Sequence, residues 1–169
     1  HFYRFGQIIM DRVYQTYLPT KHFKNNSHGV ENLHRASQTS RGTILLTAHV
    51  GGWDLASSLM DIHEPAKDMY LVEYKAKDQS IEKMYGQQKT EKRKEFSDRI
   101  MGSPSIFEIH EIISKGKSLG IMADRPIGNK YELVMFFGKL APFDITPFKM
   151  AATSKATLLF CFGFKARKN

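Results

Sequence analysis

The chain has a single cysteine, Cys161, in 169 residues, which excludes an internal disulfide framework and is compatible with a reducing compartment. Cys161 stands in the apolar run Leu158-Leu159-Phe160-Cys161-Phe162. There it reads as a small core hydrophobe, because apolar burial raises a thiol pKa and leaves it inert. No stretch of about 18 apolar residues is present, so no segment is expected to span a bilayer. No signal peptide is visible. The chain opens on His1 and stops at Lys165-Ala166-Arg167-Lys168-Asn169, directly after what reads as a buried strand. Both ends therefore read as truncated, which leaves room for a membrane anchor outside them. No Gly-x-Gly-x-x-Gly is present, and Gly116-Lys117-Ser118 lacks the upstream glycine of a phosphate-binding loop and stands between a helix and a strand in the wrong order. Nucleotide chemistry is not expected. The seven histidines form no His-Glu-x-x-His pair and there is no cysteine pair, so no metal is expected.

What is present is the profile of one folded domain: 41% apolar and 25% charged residues, without repeats or low-complexity tracts. A formal net charge of +8 favours anionic partners, whether nucleic acid, an anionic lipid surface or an acidic protein. Residues 1–18 read as an amphipathic helix, with Phe2, Phe5, Ile8, Ile9, Val13 and Tyr17 near helical spacing. After a polar stretch holding a short helix over Val30–Gln38, Thr43-Ile44-Leu45-Leu46-Thr47 reads as a buried strand. Gly51-Gly52 breaks it, and Trp53–Ile62 reads as a helix. Further strands are expected over Met69–Tyr74, Leu119–Ala123, Glu132–Phe137 and Thr157–Phe164. Helices are expected over Gln79–Arg99, Ile106–Ser114 and Met150–Ser154. Strands alternating with helices predict an α/β fold, a mainly parallel sheet flanked by helices on both faces.

In such sheets ligands gather beyond the carboxyl ends of the strands. His49 lies two residues past Thr47, and Asp54 five positions further on. On a continuous helix, five steps of about 100° would set the two side chains apart. A turn at Gly51-Gly52 removes that obstacle, since glycine accepts positive φ and close backbone approach. With His49 before the turn and the helix beginning near Trp53, Asp54 can point back at the imidazole. A histidine oriented by a carboxylate is a general base, and free amides at a helix start can hold an oxyanion or a phosphate. A lone histidine near a strand end is ordinarily structural; the strand–His–Gly–Gly–helix setting argues here for chemistry. His110 and Glu111 fall within a helical pattern and read as surface residues.

These residues carry a resemblance. Gly42-Thr43-Ile44-Leu45-Leu46-Thr47-Ala48-His49-Val50-Gly51-Gly52-Trp53-Asp54 resembles the first block of the late lipid A biosynthesis acyltransferases, within the wider His-x-x-x-x-Asp/Glu glycerolipid acyltransferases. Lys115 to Arg125 resembles a second block that ends in Asp-Gln, and Val134-Met135-Phe136-Phe137-Gly138 a third. Order and spacing agree over roughly residues 1 to 165; Arg125 stands where glutamine is usual, and Pro142 to Thr146 is atypical.

The resemblance implies a single acyltransferase domain over 1–169 and transfer of an acyl chain from an acyl carrier protein thioester or acyl-CoA. The acceptor is a hydroxyl of a lipid A precursor or related glycolipid. It implies His49 as base with Asp54 orienting it, and Gly51, Gly52, Arg99, Asp124 and Arg125 as substrate-binding positions, with Arg93 the second match for the arginine. Asp124 is compatible with binding the acceptor, bracing the site or capping a turn. No cofactor is implied, and the location is the cytoplasmic face of the bacterial inner membrane, at an anionic surface.

Two other classes compete. A nucleic-acid module is disfavoured because Lys89, Lys92, Arg93, Lys94 and Arg99 are interleaved with Glu91, Glu95 and Asp98 and no binding motif appears. An incomplete acyltransferase-like chain that only binds lipid or a partner is the alternative.

Overall fold

Thr43–Thr47 has no polar side to turn outward, so it needs apolar cover above and below and a paired neighbour on each flank. The computed structural model, which describes residues 2–17, 26–51, 69–73, 100–102, 104–126 and 129–164, supplies both. The described elements are α1 (Phe2–Tyr17), α2 (Val30–Ser37), β1 (Thr43–Thr47), β2 (Tyr70–Glu73), β3 (Ile100–Gly102), α3 (Ile106–Ser114), β4 (Ser118–Met122), β5 (Tyr131–Phe136), β6 (Lys139–Asp144), α4 (Thr146–Ser154) and β7 (Thr157–Phe160). Five strands form a parallel sheet in the order β3-β2-β4-β1-β7. The fold is α/β with a mainly parallel sheet, as the strand–helix alternation predicts.

Alternation along the strands divides the core. Ile44, Leu46, Leu119, Ile121 and Val72 face Ile109 and Ile113 of α3 and Met150 and Ala151 of α4. Leu45 faces the other way, toward Leu33 of α2 and Met69, with Leu71, Leu159 and Cys161 beside them. Helices thus cover both faces. Burial pushes the Cys161 thiol pKa up, in keeping with a packing role.

α3 owes its bounds to local chemistry. The Ser105 hydroxyl accepts from the Glu108 N–H at 3.3 Å while the Glu108 carboxylate accepts from the Ser105 N–H at 2.7 Å, a reciprocal capping box. At its far end Gly116 has φ +74°. The Gly116 N–H donates to the Ile113 carbonyl and the Lys117 N–H to the Ile112 carbonyl, the pair of bonds of a Schellman ending. The turned chain then passes the Lys117 carbonyl to the Thr43 N–H at 3.2 Å. Gly42 makes this approach possible: a Cβ there would lie 2.6 Å from the Ile113 carbonyl oxygen and 2.7 Å from its Cα.

Several expectations need correction. Glu132–Phe137 is a strand, but it does not join the parallel sheet. As β5 it pairs antiparallel with β6 in a separate hairpin. β6 escapes a propensity reading because Pro142 interrupts it, which a two-stranded ribbon with open edges tolerates. β3 is too short to leave a pattern and follows a charged run. Met150–Ser154 lies in a helix as expected; that helix, α4, begins at Thr146, because the buried Asp144 carboxylate accepts the Thr146 N–H at 2.8 Å and Pro147 suits a first helical turn. β7 ends at Phe160, four residues before the expected Phe164. The helices expected over Trp53–Ile62 and Gln79–Arg99 lie outside the described residues.

Replacing Gly42 by alanine forces its Cβ into backbone that cannot swing aside. We expect a loss of about 1–3 kcal/mol, read from urea unfolding. Ser105→Ala, which removes only the cap, should lose about 1 kcal/mol.

Candidate active site

β1 and β4 are adjacent inner strands in parallel register, Thr43 opposite Ser118 through to Thr47 opposite Met122. The Ala123 N–H donates to the Thr47 carbonyl at 3.1 Å, carrying the pairing past both strand ends. One residue further, the same offset sets His49 opposite Asp124. The two side chains meet there: His49 Nδ1 lies 2.8 Å from Asp124 Oδ1. The connections leaving β1 and β4 run in opposite directions along the sheet, to β2 and to β7, so the pair lies beyond the strand ends at a topological switch point, the position at which ligands collect in α/β sheets.

His49 is presented by a tight turn. The Val50 N–H donates to the Ala48 carbonyl at 2.7 Å, and His49 does not have positive φ, which makes it the corner of an inverse γ-turn closing the strand. Gly51 follows with φ +72°, and a Cβ there would lie 2.0 Å from the Gly163 carbonyl oxygen. Only glycine fits this backbone crossing. The C-terminal segment is held in turn by the Cys161 N–H, which donates to the Leu46 carbonyl at 2.8 Å. The turn behind His49 is thus clamped between the strand end and residues 161–164.

The electrostatics decide the tautomer. Burial pushes the Asp124 carboxyl pKa up. The hydrogen bond and charge of the His49 ring, with the backbone N–H groups of His49 and Asp124, outweigh it and hold the carboxyl below its ordinary value. Asp124 is therefore ionised at neutral pH and can only accept, so Nδ1 must carry a hydrogen. In the neutral ring this leaves the lone pair on Nε2. The His49 and Asp124 side chains are 40% and 27% exposed, open enough for a substrate to reach the ring. The arrangement is an imidazole base with its second nitrogen fixed by a carboxylate.

Of the residues marked out in the sequence, the structure brings together His49, Gly51 and Asp124, with Arg125 exposed beside them. Gly52, Asp54, Arg93 and Arg99 lie outside the described residues, so the expected approach of Asp54 to the imidazole does too. Asp124, assigned from the resemblance to substrate binding among other roles, is the carboxylate on the ring. A signal for it exists in retrospect: both strands end in alanine followed by a polar site residue, Thr47-Ala48-His49 and Met122-Ala123-Asp124. Among the described residues no cluster of three or more His, Cys, Asp or Glu is assembled.

The family model described as bacterial lipid A biosynthesis acyltransferase matches residues 1–168. A search of curated proteins finds no match.

The lowered Asp124 pKa has a definite sign in stability. The paired carboxylate contributes fully above the unfolded aspartate value, about 3.9, and the contribution is lost as pH falls through the lower folded value. In thermal unfolding followed from about pH 6 down to about pH 3, Asp124→Asn should lie below wild type at the upper end and converge with it in acid. A constant difference across the range would contradict the pairing.

Proposed function

The chain belongs to the bacterial lipid A biosynthesis acyltransferases, and from that premise we propose that His49, held by Asp124, is the general base that deprotonates a lipid hydroxyl as it takes an acyl chain from a thioester. The observation that carries this reading is the 2.8 Å contact of Nδ1 with a carboxylate, which leaves Nε2 as the basic nitrogen. Nε2 takes the acceptor hydroxyl proton as the oxygen attacks the thioester carbonyl carbon. The tetrahedral oxyanion collapses, the carbon–sulfur bond breaks, and the imidazolium returns its proton to the departing thiolate. Asp124 stabilises the imidazolium between these events. The Gly51 amide serves as a donor to the oxyanion, and Arg125 and Arg99 as partners for anionic groups of the substrates.

The motif carboxylate Asp54 acts on the same ring. Because Nδ1–H already has an acceptor, Asp54 serves either as an alternate acceptor for that hydrogen or as a second negative charge favouring the imidazolium. The donor is an acyl carrier protein or CoA thioester and the acceptor a lipid A precursor or related glycolipid, met at the cytoplasmic face of the inner membrane. The basic character of the chain suits both an acidic carrier and an anionic surface. Among the described residues no helix is long and apolar enough to cross a membrane. The competing reading, a chain that binds lipid without turnover, draws on the apolar side chains exposed near the site.

The test is transfer of labelled acyl groups from each thioester to lipid A precursor dispersed in detergent. His49→Ala should lose roughly a hundredfold to ten-thousandfold in rate. Asp124→Asn and Asp54→Ala should each lose less, and the double variant less than the product of the two if both carboxylates serve one nitrogen. Wild-type rates in His49→Ala would sink the mechanism. An inactive parent chain that still binds lipid would favour the competing reading.

A further inference from the structure

The large apolar side chains left in water are not spread evenly. Outside α1, every one among the described residues lies either on the β5–β6 hairpin or at the carboxyl edge of the sheet, the edge that holds His49 and Asp124. Val50 follows His49; Phe107 opens α3 and Phe148 opens α4, both helices beginning at that edge; Phe160 ends β7 level with Leu46, and Phe162 and Phe164 lie beyond it. The hairpin belongs to the same edge. It leaves the chain after Asp124 and closes at the start of α4, where the Ile145 N–H donates to the Lys130 carbonyl at 3.4 Å.

The hairpin carries exposed apolar side chains on both faces, with the charges Glu132 and Lys139 on one of them. Leu133, Met135 and Leu140 share one face, and Val134 and Phe136 the other, each about half or more exposed. A ribbon made to lie on a protein surface would be apolar on one face and polar on the other. At its tip, Phe137 and Gly138 both have positive φ, 50° and 77°, the signature of a type I′ turn, whose first position favours Asn, Asp or Gly. A bulky aromatic there is strained, and this one is also 92% exposed. Strain and exposure of an aromatic at one position point to a use outside the folded chain.

We propose that this hairpin seats the protein on an anionic bilayer, with the Phe137 ring entering below the phosphates and the carboxyl edge of the sheet facing the lipid. A bilayer is the occupant that suits a two-faced apolar tip, because its medium surrounds the ribbon instead of meeting one face. The charges agree: Lys139, paired across from Phe136, and Lys130 and Arg125 nearer the base are exposed cations placed to meet phosphates. Depth is limited by the same geometry. Open strand edges cannot enter hydrocarbon unpaired, so the tip reaches the headgroup–acyl boundary and no further. The proposal rests on the lipid-acylating reading only in the choice of a lipid partner; it gives that site its access to a membrane-held acceptor.

The test uses the whole chain and flotation with vesicles of phosphatidylethanolamine and phosphatidylglycerol, compared with phosphatidylcholine alone. Phe137→Asn is the informative variant because asparagine accepts the left-handed conformation: its thermal midpoint should equal or exceed that of wild type. Its affinity for the anionic vesicles should fall about tenfold, while transfer to a detergent-dispersed acceptor stays unchanged. Lys139→Glu should weaken binding to the anionic vesicles and leave the weak binding to phosphatidylcholine as it is. Vesicle binding by Phe137→Asn equal to wild type, or no vesicle binding by wild type, overturns the proposal. So does a Phe137→Asn effect confined to carrier-protein binding or to self-association in lipid-free solution. His49→Ala should float like wild type, so a failure of the catalytic reading shows in transfer and a failure of this one in flotation.

Discussion

The parallel pairing of β1 with β4 is the constraint on which the site depends. Five consecutive residue pairs share one offset, and the hydrogen bond from Ala123 to Thr47 carries it past the last of them. His49 and Asp124 are then neighbours because their strands are, before either side chain has any affinity for the other. Side chains in a sheet alternate with period two. A slip of one residue would therefore lose this pairing and turn the apolar set of β1 to the wrong faces. Core burial and site geometry are enforced by one register.

That register is defended from several directions. Ile44 and Leu46 are almost wholly buried on the α3–α4 side, and Leu45 on the α2 side, so β1 has no exposed face to trade. At its amino end, Gly42 lets the turn after α3 approach closely enough for Lys117 to pair with Thr43. Beyond its carboxyl end, Gly51 lets residues 161–164 lie against the turn that presents the imidazole. The two glycines bracket the strand, and the closest approach at each is to backbone. The pair at the end of the strand is left partly open to water, and its polarity is tolerated because the charge is hydrogen-bonded.

Apolar burial within the sheet contrasts with apolar exposure along its carboxyl edge. The core is ordinary; the carboxyl edge and hairpin carry aromatic and aliphatic side chains that gain nothing from water. The site lies on this edge, so a lipid acceptor held in a membrane and the base that would act on it can share one surface without either leaving its medium.

Much of this was legible from residue order. The buried strand at Thr43–Thr47, the helix Ile106–Ser114, and the position of His49 at a strand end all follow from local rules: apolar runs, helical spacing and glycine turns act over a few residues. The family resemblance drew on the same local blocks, and the family model spans nearly the whole chain. What local rules could not supply was anything set by pairing over long separations. Strand Ile100–Gly102 exists because Leu71 to Glu73 offer it a ladder, and Lys139–Asp144 is a strand despite Pro142 because β5 folds back on it. Above all, residue order places His49 at a strand end but does not show which carboxylate meets its ring. The parallel ladder sets Asp124 there, since only the folded sheet brings residues 75 positions apart to within a hydrogen bond.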